Sequence, residues 1–538
     1  MIWVAIIGGY GKYSGKIEML HLKEPPKDRI HRESFYVPPN PIPDEDAPAG
    51  SNAPGRRMSG SPNGILRDSL GEVFPGPWSY VFPPDPQVAV SEDYVVSTIN
   101  SHISIYDKTG EILYWNFLDS FFPFYPGYGM VFDPKLVFDV LAKRWYVLAL
   151  FASWYPDPES SFYYLAVSEG EDPLGGWYFY KLNASMNGST PTHNWADYPG
   201  LGYNDRWIVI TSNQFTFEWN WKYGKVRFLN KEKALSGALD GWTDFWGNFL
   251  GEYTYTIRPM RPLTPSEDMY LLKVRIGNEY LHLWKFSGEP DEPHLSLQTT
   301  LGIRNYPTPS AVPQGGGYHP IEGGSQKGIM AVVYYDGKLY LSFEEGQPND
   351  YTMTGARLVV VDVRDTVPFV LEDLSIYEPH VSWIYPTVGV SPKGVVIVFT
   401  RVGPSDYPSV FYVARAVGEL EFSESKPITW GSSWYEEVYD GRNRWGDYFG
   451  AAMDPADSSV WVIGEYADYT DAWSTTIAKV SLEREWEFVF DPKLDVEAIY
   501  DISGRRVRIT DMRRGIYFVR TRDGKIRKIL KLYPFASP

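Results

Sequence analysis

The stretch 133-DPKLVFDVLAKRWYVLALF-151 holds the plan of the whole chain in miniature. An Asp-Pro pair opens it, a short apolar run follows, a polar LAKR sets a turn, and an aromatic and β-branched run comes back. Apolar runs rich in Val, Phe, Trp and Tyr read as strands, and Asp, Pro and Lys clusters between them read as turns. A third run, 162-FYYLAVS-168, follows after a loop. Working outward, the same unit recurs upstream as 85-DPQVAVSEDYVVSTIN-100 with 102-HISIYDKTGEILYW-115. Downstream it recurs as 197-DYPGLGYNDRWIVITSNQF-215 with 224-GKVRFL-229. A fainter copy carries 269-MYLLKVR-275 and 280-YLHLWKF-286. Three more follow: 319-HPIEGGSQKGIMAVVYYDGKLYLSFEE-345 with 356-ARLVVVDV-363, 385-YPTVGVSPKGVVIVFTRV-402 with 410-VFYVARA-416, and 447-DYFGAAMDPADSSVWVIGEYAD-468 with 475-TTIAKVSL-482.

The units open near Asp85, Asp133, Asp197, Pro259, His319, Tyr385 and Asp447, in steps of 48 to 66 residues. Such steps hold four short strands and one long loop, and they exceed the ~40–50 residues of compact propeller repeats. The chain therefore predicts an all-β fold: a β-propeller of about seven four-stranded blades over 65–487. An N-terminal segment and Pro-rich linker precede it at 1–64, and a small β module follows at 488–538. Ring closure is expected through residues 72–82 as a strand of the last blade, with 486–490 as the other choice.

Composition agrees. The chain has 538 residues, 43% hydrophobic, with 40 Tyr, 28 Phe and 20 Trp punctuated by 43 Pro and 48 Gly. Aromatics favour strands and Pro and Gly favour turns, so many short strands are expected rather than long helices. A net charge of −17 argues against nucleic acid as a partner. The absence of Cys removes disulfides, thiolate metal sites and cysteine nucleophiles. No apolar run approaches the ~20 residues a membrane helix needs. The apolar Met1–Ile7 lacks the basic flank and small-residue cleavage site of a signal peptide.

The tail changes character: residues 488–538 carry 12 Lys/Arg against 6 Asp/Glu in an otherwise acidic chain. Strands are expected at 496–500, 506–509, 516–520 and 525–532. Tyr500-Asp501, Ser503-Gly504-Arg505, Gly515-Ile516-Tyr517-Phe518 and Lys528 stand in an order that resembles the C-terminal sorting domain of type IX secretion cargo. That resemblance covers about 40 residues. It lacks the earlier strand pair that the family begins near an Asn-Pro, and it adds LYPFASP after Lys531. It implies secretion machinery as a partner and an extracellular or outer-membrane-surface location.

Two phrases echo each other, NWADYPGLGY (Asn194–Tyr203) and RWGDYFGAAM (444–453). In a propeller each blade opening lies on the same face as the loop between its second and third strands. Asp85, Asp133, Asp197 and Asp447 are accordingly expected to ring one channel mouth and to offer carboxylates to Ca²⁺, which takes 6–8 oxygen ligands. Trp195, Tyr198, Trp445 and Tyr448 are expected beside them as ligand-binding residues. The second-to-third-strand loops 153–161, 217–222, 346–354, 403–409 and 465–473 are aromatic and acidic, and belong to the same surface. Against this stands a structural reading, in which the acids cap turns and the rings pack between blades.

Catalytic motifs are missing. There is no HExxH, and Gly323-Gly324-Ser325-Gln326-Lys327 lacks the last glycine of GxSxG. The pairs Glu344-Glu345 and Glu436-Glu437 are adjacent and so face opposite sides of a strand. The turn in SIYDKTGEILYW (104–115) differs in spacing from the SxDxGxTW turns of sialidase-like propellers. The leading expectation is a secreted or cell-surface binding protein for a glycan, surface polymer or protein, assisted by Ca²⁺. A polysaccharide-acting hydrolase with carboxylates at the channel mouth and a structural surface spacer are the alternatives.

Overall fold

The computed structural model describes residues 9–27, 65–485 apart from 252–253, 275–279, 305–306, 325–327, 418 and 470–471, and 496–531 apart from 502–503, 509–514 and 523–525. Residues 68–482 fold with the N-terminal segment into one compact unit, and 483–538 with 59–67 form a second.

Seven sheets follow one another along the first unit, so the chain is a seven-bladed β-propeller. Each blade is built on consecutive antiparallel strands, from an inner strand such as Gln87–Val90 of blade 1 to an outer one such as Ile112–Phe117. Inner strands of the other blades are Met130–Asp139, Asn194–Tyr203, Arg258–Pro259, Ala331–Tyr335, Ser382–Ser391 and Gly450–Met453. The faint fourth repeat is explained by its inner strand, which is two residues long. The chain then runs on as Arg261–Pro262 and pairs in parallel with Ala331–Tyr335 of blade 5.

Three expectations need correction. First, the fifth blade opens at Ala331 and not near His319; the described residues of 303–330 lie outside the blade. Second, blades 2, 3 and 5 have five strands. Third, the N-terminal segment is not all linker. Gly9–Ser14 pairs with Gly241–Trp246 at the rim of blade 3, and Glu18–Leu22 pairs with Trp177–Asn183 at the rim of blade 2. Rim strands leave unpaired backbone groups, and a further strand laid on them removes that liability. Most of the Pro-rich stretch, 28–64, lies outside the described residues.

The ring closes on the expected blade, with the strand a little earlier than expected: Ile65–Pro75 is the outermost strand of blade 7. The alternative, 486–490, lies outside the described residues. Phe74 is buried between Trp461 of blade 7 and Tyr106 of blade 1, with ring centroids 5.9 and 5.4 Å away. Gly110, at φ +93°, makes room for it: a Cβ there would lie 2.6 Å from the Phe74 ring. Lys426 of blade 6 donates to the buried Asp68 carboxylate at 2.6 Å, so the closing strand touches three blades.

Between blades the core is continuous. One buried cluster joins blades 2 and 3 through Tyr163, Leu165, Ile208 and Ile210, and another joins blades 5 and 6 through Leu358, Val360, Ile397 and Val413. These blade faces carry the alternation-free apolar runs seen in the sequence, because both sides of each sheet are covered.

The second unit contains the four expected strands, ordered Arg506–Val507, Val496–Asp501, Gly515–Thr521, Ile526–Lys531. Gly504 takes φ +78° in a turn where the Asp501 carboxylate accepts from the Arg505 N–H at 2.9 Å. In the backbone register Tyr500 stands opposite Phe518, Phe518 opposite Lys528, and Asp501 opposite Tyr517.

Phe74→Ala opens the seam between the last blade and the first. Truncating a buried Phe costs about 3–5 kcal/mol. A fall of that size in the unfolding free energy by urea denaturation is expected, with Ser14→Ala, on an outer rim strand, near neutral as the control.

Candidate functional site

Four blade openings share one backbone device. Asp85, Asp133, Tyr198 and Tyr385 take φ of 50°, 52°, 50° and 57°, and each precedes a proline. Non-glycine residues in the left-handed region are uncommon and cost on the order of 1–3 kcal/mol when held there. In blades 2, 3 and 6 the turn is a β-bulge, with the ladder slipping between Phe132 and Lys135, Asp197 and Gly200, and Ile384 and Thr387. Each bulge aims a backbone N–H at the neighbouring blade.

A side-chain oxygen of an adjacent blade accepts that N–H. Asn100 Oδ1 accepts from Asp133 at 2.8 Å, Asp133 Oδ2 from Tyr198 at 3.1 Å, and Glu344 Oε2 from Tyr385 at 3.2 Å. Asn213 Oδ1 accepts from Thr256, another left-handed residue, at 2.8 Å. Across the closing joint, Asp85 Oδ1 accepts from the Asp447 N–H at 2.5 Å. Asn100, Asn213 and Glu344 were not anticipated from the sequence. All three stand six residues after the first residue of their blade's second strand (Tyr94, Trp207, Lys338), which is the signal that finds them.

Of the four acids expected at the mouth, Asp85, Asp133 and Asp447 converge, each with an oxygen within 4.8 Å of the others. Asp197 does not join them. The left-handed residue of blade 3 is Tyr198, so Tyr198 and not Asp197 holds the register of Asp85 and Asp133, and one position along a strand changes the side chain's direction. Burial, then the charges of Asp447 and Asp133, push the Asp85 carboxyl well above its usual range. Glu465 is raised by burial and then by Asp85, and both its oxygens are buried without a hydrogen-bond partner. Arg444 opposes them, donating to Asp447 at 3.1 Å and to Glu322 at 3.0 Å.

None of these residues meets solvent. Asp85, Asp133, Asp197, Asp447, Trp195, Tyr198, Trp445 and Tyr448 are all buried, which corrects the expectation of an open, ligand-facing mouth. Two observations give the reason. Tyrosines cross the channel: the Tyr198 hydroxyl donates to the Asp447 carbonyl at 3.0 Å and the Tyr448 hydroxyl to the Pro134 carbonyl at 3.0 Å. Above them, the connections before blades 5 and 7 pair into a small sheet of Ala311–Val312, Ile321–Glu322, Arg442–Asn443 and Val438–Tyr439. Its Val312 and Ile321, with Tyr435 and Trp445 beside them, pack in one cluster with Tyr198, Tyr385 and Tyr448. The sheet is a cap over the acidic end, and His319, read as a blade opening, belongs to it, paired with Glu436 at 2.7 Å.

The loop set remains at the surface. Tyr155 is 87% exposed and Tyr469 71% exposed, and Trp219, Tyr351 and Tyr407 are also exposed. Tyr155, Trp219 and Tyr469 lie between the second and third strands of blades 2, 3 and 7, and Tyr351 and Tyr407 are the second residues of the third strands of blades 5 and 6, all at the capped end. Trp219 stacks on Trp154 at 5.5 Å and stands edge-on to the buried Trp195 at 4.9 Å.

The paired glutamates behave as adjacent strand residues must. Glu344 accepts from the Gly324 N–H at 2.6 Å, while Glu345 accepts from Arg357 at 2.6 Å. Gly323 allows the approach, since a Cβ there would lie 2.5 Å from Glu344 Oε1.

No protein-family model and no curated protein matches the chain. Among solved structures it is similar to the polysaccharide lyase Uly1 (11% identity, 74% of this chain and 90% of that one, TM-score 0.38) and to Trypanosoma rangeli sialidase in complex with sialic acid (13%, 80% and 60%, 0.34). It is also similar to the β-propeller domain of the Trilobed protease from Pyrococcus furiosus, which has an open velcro topology (11%, 66% and 97%, 0.30). At these scores the likenesses carry no functional argument.

Burial pushes Glu344 up to about 8. Its folded pKa lies above the unfolded value, so its contribution is complete below about 4.5 and declines as pH rises towards 8, by up to about 1.4 kcal/mol per pH unit. Glu344→Gln keeps an acceptor for both N–H groups and removes the titration. Stability against pH, measured by urea denaturation from pH 4.5 to 8, is expected to fall less steeply in the variant than in the wild type; parallel curves refute the assignment.

Proposed function

We propose that the protein is a secreted or cell-surface binding protein whose ligand is a glycan held on the aromatic loops of the capped end. The observation that carries this reading is the set of exposed rings, Tyr155, Trp219, Tyr351, Tyr407 and Tyr469, in or beside the turn between the second and third strands of five blades. Aromatic faces give a flat apolar platform with a polar edge, suited to the C–H faces of sugar rings. The net charge of −17 favours uncharged or cationic glycans over acidic ones. A hydrolase needs two carboxylates at the scissile bond, and the acids that prompted that alternative are shut beneath the cap.

In this reading Ca²⁺ acts as a brace and not as a bridge to ligand, because Asp85, Asp133 and Asp447 are buried. The order of Tyr500, Asp501, Gly504, Arg505, Gly515, Tyr517, Phe518 and Lys528 supports export through type IX secretion machinery.

Three measurements test these points. A glycan array is expected to give ligands whose affinity falls at least about tenfold in the Tyr155→Ala, Tyr407→Ala double variant, with an unchanged melting temperature; binding that survives both substitutions sinks the aromatic platform. Calcium is expected to raise the melting temperature relative to chelator, and Asp133→Asn to abolish the difference. In a bacterium with type IX secretion, a chain ending at residue 487 is expected to stay in the periplasm, and its normal export would overturn the sorting role.

A further inference from the structure

Below the tyrosine plug the channel changes sign. Lys135, from the bulge of blade 2, and Arg258, from the inner strand of blade 4, are both 4% exposed. Arg261 lies one turn of chain further on. Among the described residues none of the three forms an ion pair. The Lys135 ammonium rests on the Tyr448 ring and lies 5.7 Å from the centre of the Tyr198 ring. Arg258 stacks on Tyr198 at 4.2 Å, donating from Nε to the Ile329 carbonyl and from Nη1 to the Pro199 carbonyl. Its Nη2 is buried without a partner. Arg261 donates from Nε to the Leu201 carbonyl at 3.2 Å and from Nη2 to Gln87 Oε1 at 3.4 Å. Burial pulls Lys135 well down, and the positive charge of Arg258 adds to that, against the opposing pull of the Asp133 and Asp85 carboxylates.

The three cations line a polar void of about 20 Å³ together with Gln87. Arg261 also lines a second cavity of about 50 Å³, nearer the end opposite the cap. That cavity is apolar, walled by Val88, Val90, Leu136, Phe138 and Val390 among others. Lys135 has the Asp133 and Asp85 carboxylates above it, but the buried Arg258 and the partly buried Arg261 bond no carboxylate among the described residues, and the cost of burying such cations is relieved by an anion seated among the donors. The basic void and the apolar collar share Arg261 in their lining.

We infer that the uncapped end of the channel binds a small carboxylate, its head group between Lys135, Arg258 and Arg261 and a short apolar body in the Val/Leu/Phe collar. The Arg258 Nη2 and Arg261 donors suit the planar carboxylate, and Lys135 adds a point charge. Size limits the body. An enclosed cavity of about 150 Å³ takes the six carbons of benzene, so a collar of about a third of that volume takes about two to three carbons. This site lies at the other end of the channel from the aromatic loops and is independent of the glycan reading.

The test is thermal melting of the full chain at constant ionic strength with sodium acetate, sodium butyrate or butyramide. Butyrate is expected to raise the midpoint by about 1–3 °C at tenfold over its dissociation constant, acetate by less, and butyramide not at all. Arg261→Gln and Lys135→Met are each expected to weaken butyrate at least fivefold. Equal shifts from butyrate and butyramide, or a butyrate response retained in both variants, overturn the site. Should either variant fail to fold, saturation-transfer NMR of butyrate on the wild-type chain decides: signal transfer to butyrate in excess of that to butyramide supports the site, and its absence removes it.

Discussion

The blade openings turn through left-handed backbone, and the amide each turn releases towards the next blade must be taken up inside a ring closed to water. An unmet buried amide costs about 1–3 kcal/mol, comparable to the strain of the turn itself. Asn100, Asp133, Asn213, Glu344 and Asp85 meet that demand, each from a neighbouring blade. A blade is therefore complete only beside its neighbour, and its strained turn is held by a group it does not own. The closing strand belongs to the same logic, because the joint between Asp85 and Asp447 forms only when blades 1 and 7 meet.

This demand explains why acids sit so deep. An aspartate that accepts an amide at a blade joint stands next to the aspartates doing the same at other joints, and the channel gathers carboxylates as a by-product of closure. Arg444 from the cap region and Lys135 from below then offset part of that charge. The result is a polar stack with carboxylates under the cap, tyrosines across the axis, and buried cations beneath. The ends of the channel consequently differ in kind, one sealed by packing and the other lined by apolar strand ends around a basic floor.

Much of the fold was legible in the chain. The Asp-Pro and Tyr-Pro openings and the β-branched second strands mark blades 1, 2, 3, 6 and 7, because turn chemistry and burial leave strong local signatures. The fourth blade was faint because its inner strand is only Arg258–Pro259. The fifth opening was misplaced because His319-Pro320 imitates a blade turn while serving the cap. The cap itself was hidden: strands of two residues, paired between segments about 120 residues apart, leave no periodic trace. That one omission turned Tyr198, Trp445 and Tyr448 into an expected surface, while Trp195 is covered by Phe132, Trp154, Phe215 and Trp219 of blades 2 and 3. The loops above them were read correctly as aromatic and acidic, since exposed Tyr155 and Tyr469 need no pairing to be noticed. Asp197 was drawn into the acidic set by its likeness to Asp447 in the paired phrases, and only the bulge at Tyr198-Pro199 separates them.

The strand Ile65–Pro75 has a temporal meaning as well as a spatial one. Its partner strand begins at Trp473, and Thr475 bonds Pro77 across 398 positions of sequence. On a ribosome adding about 5–20 residues per second, the early strand waits on the order of 20–80 s for its mate. Throughout that interval a β-rich segment with an open hydrogen-bonding edge is available to any other nascent copy nearby. Synthesis of this protein thus carries a window of vulnerability to mispairing that no substitution in the finished ring would reveal.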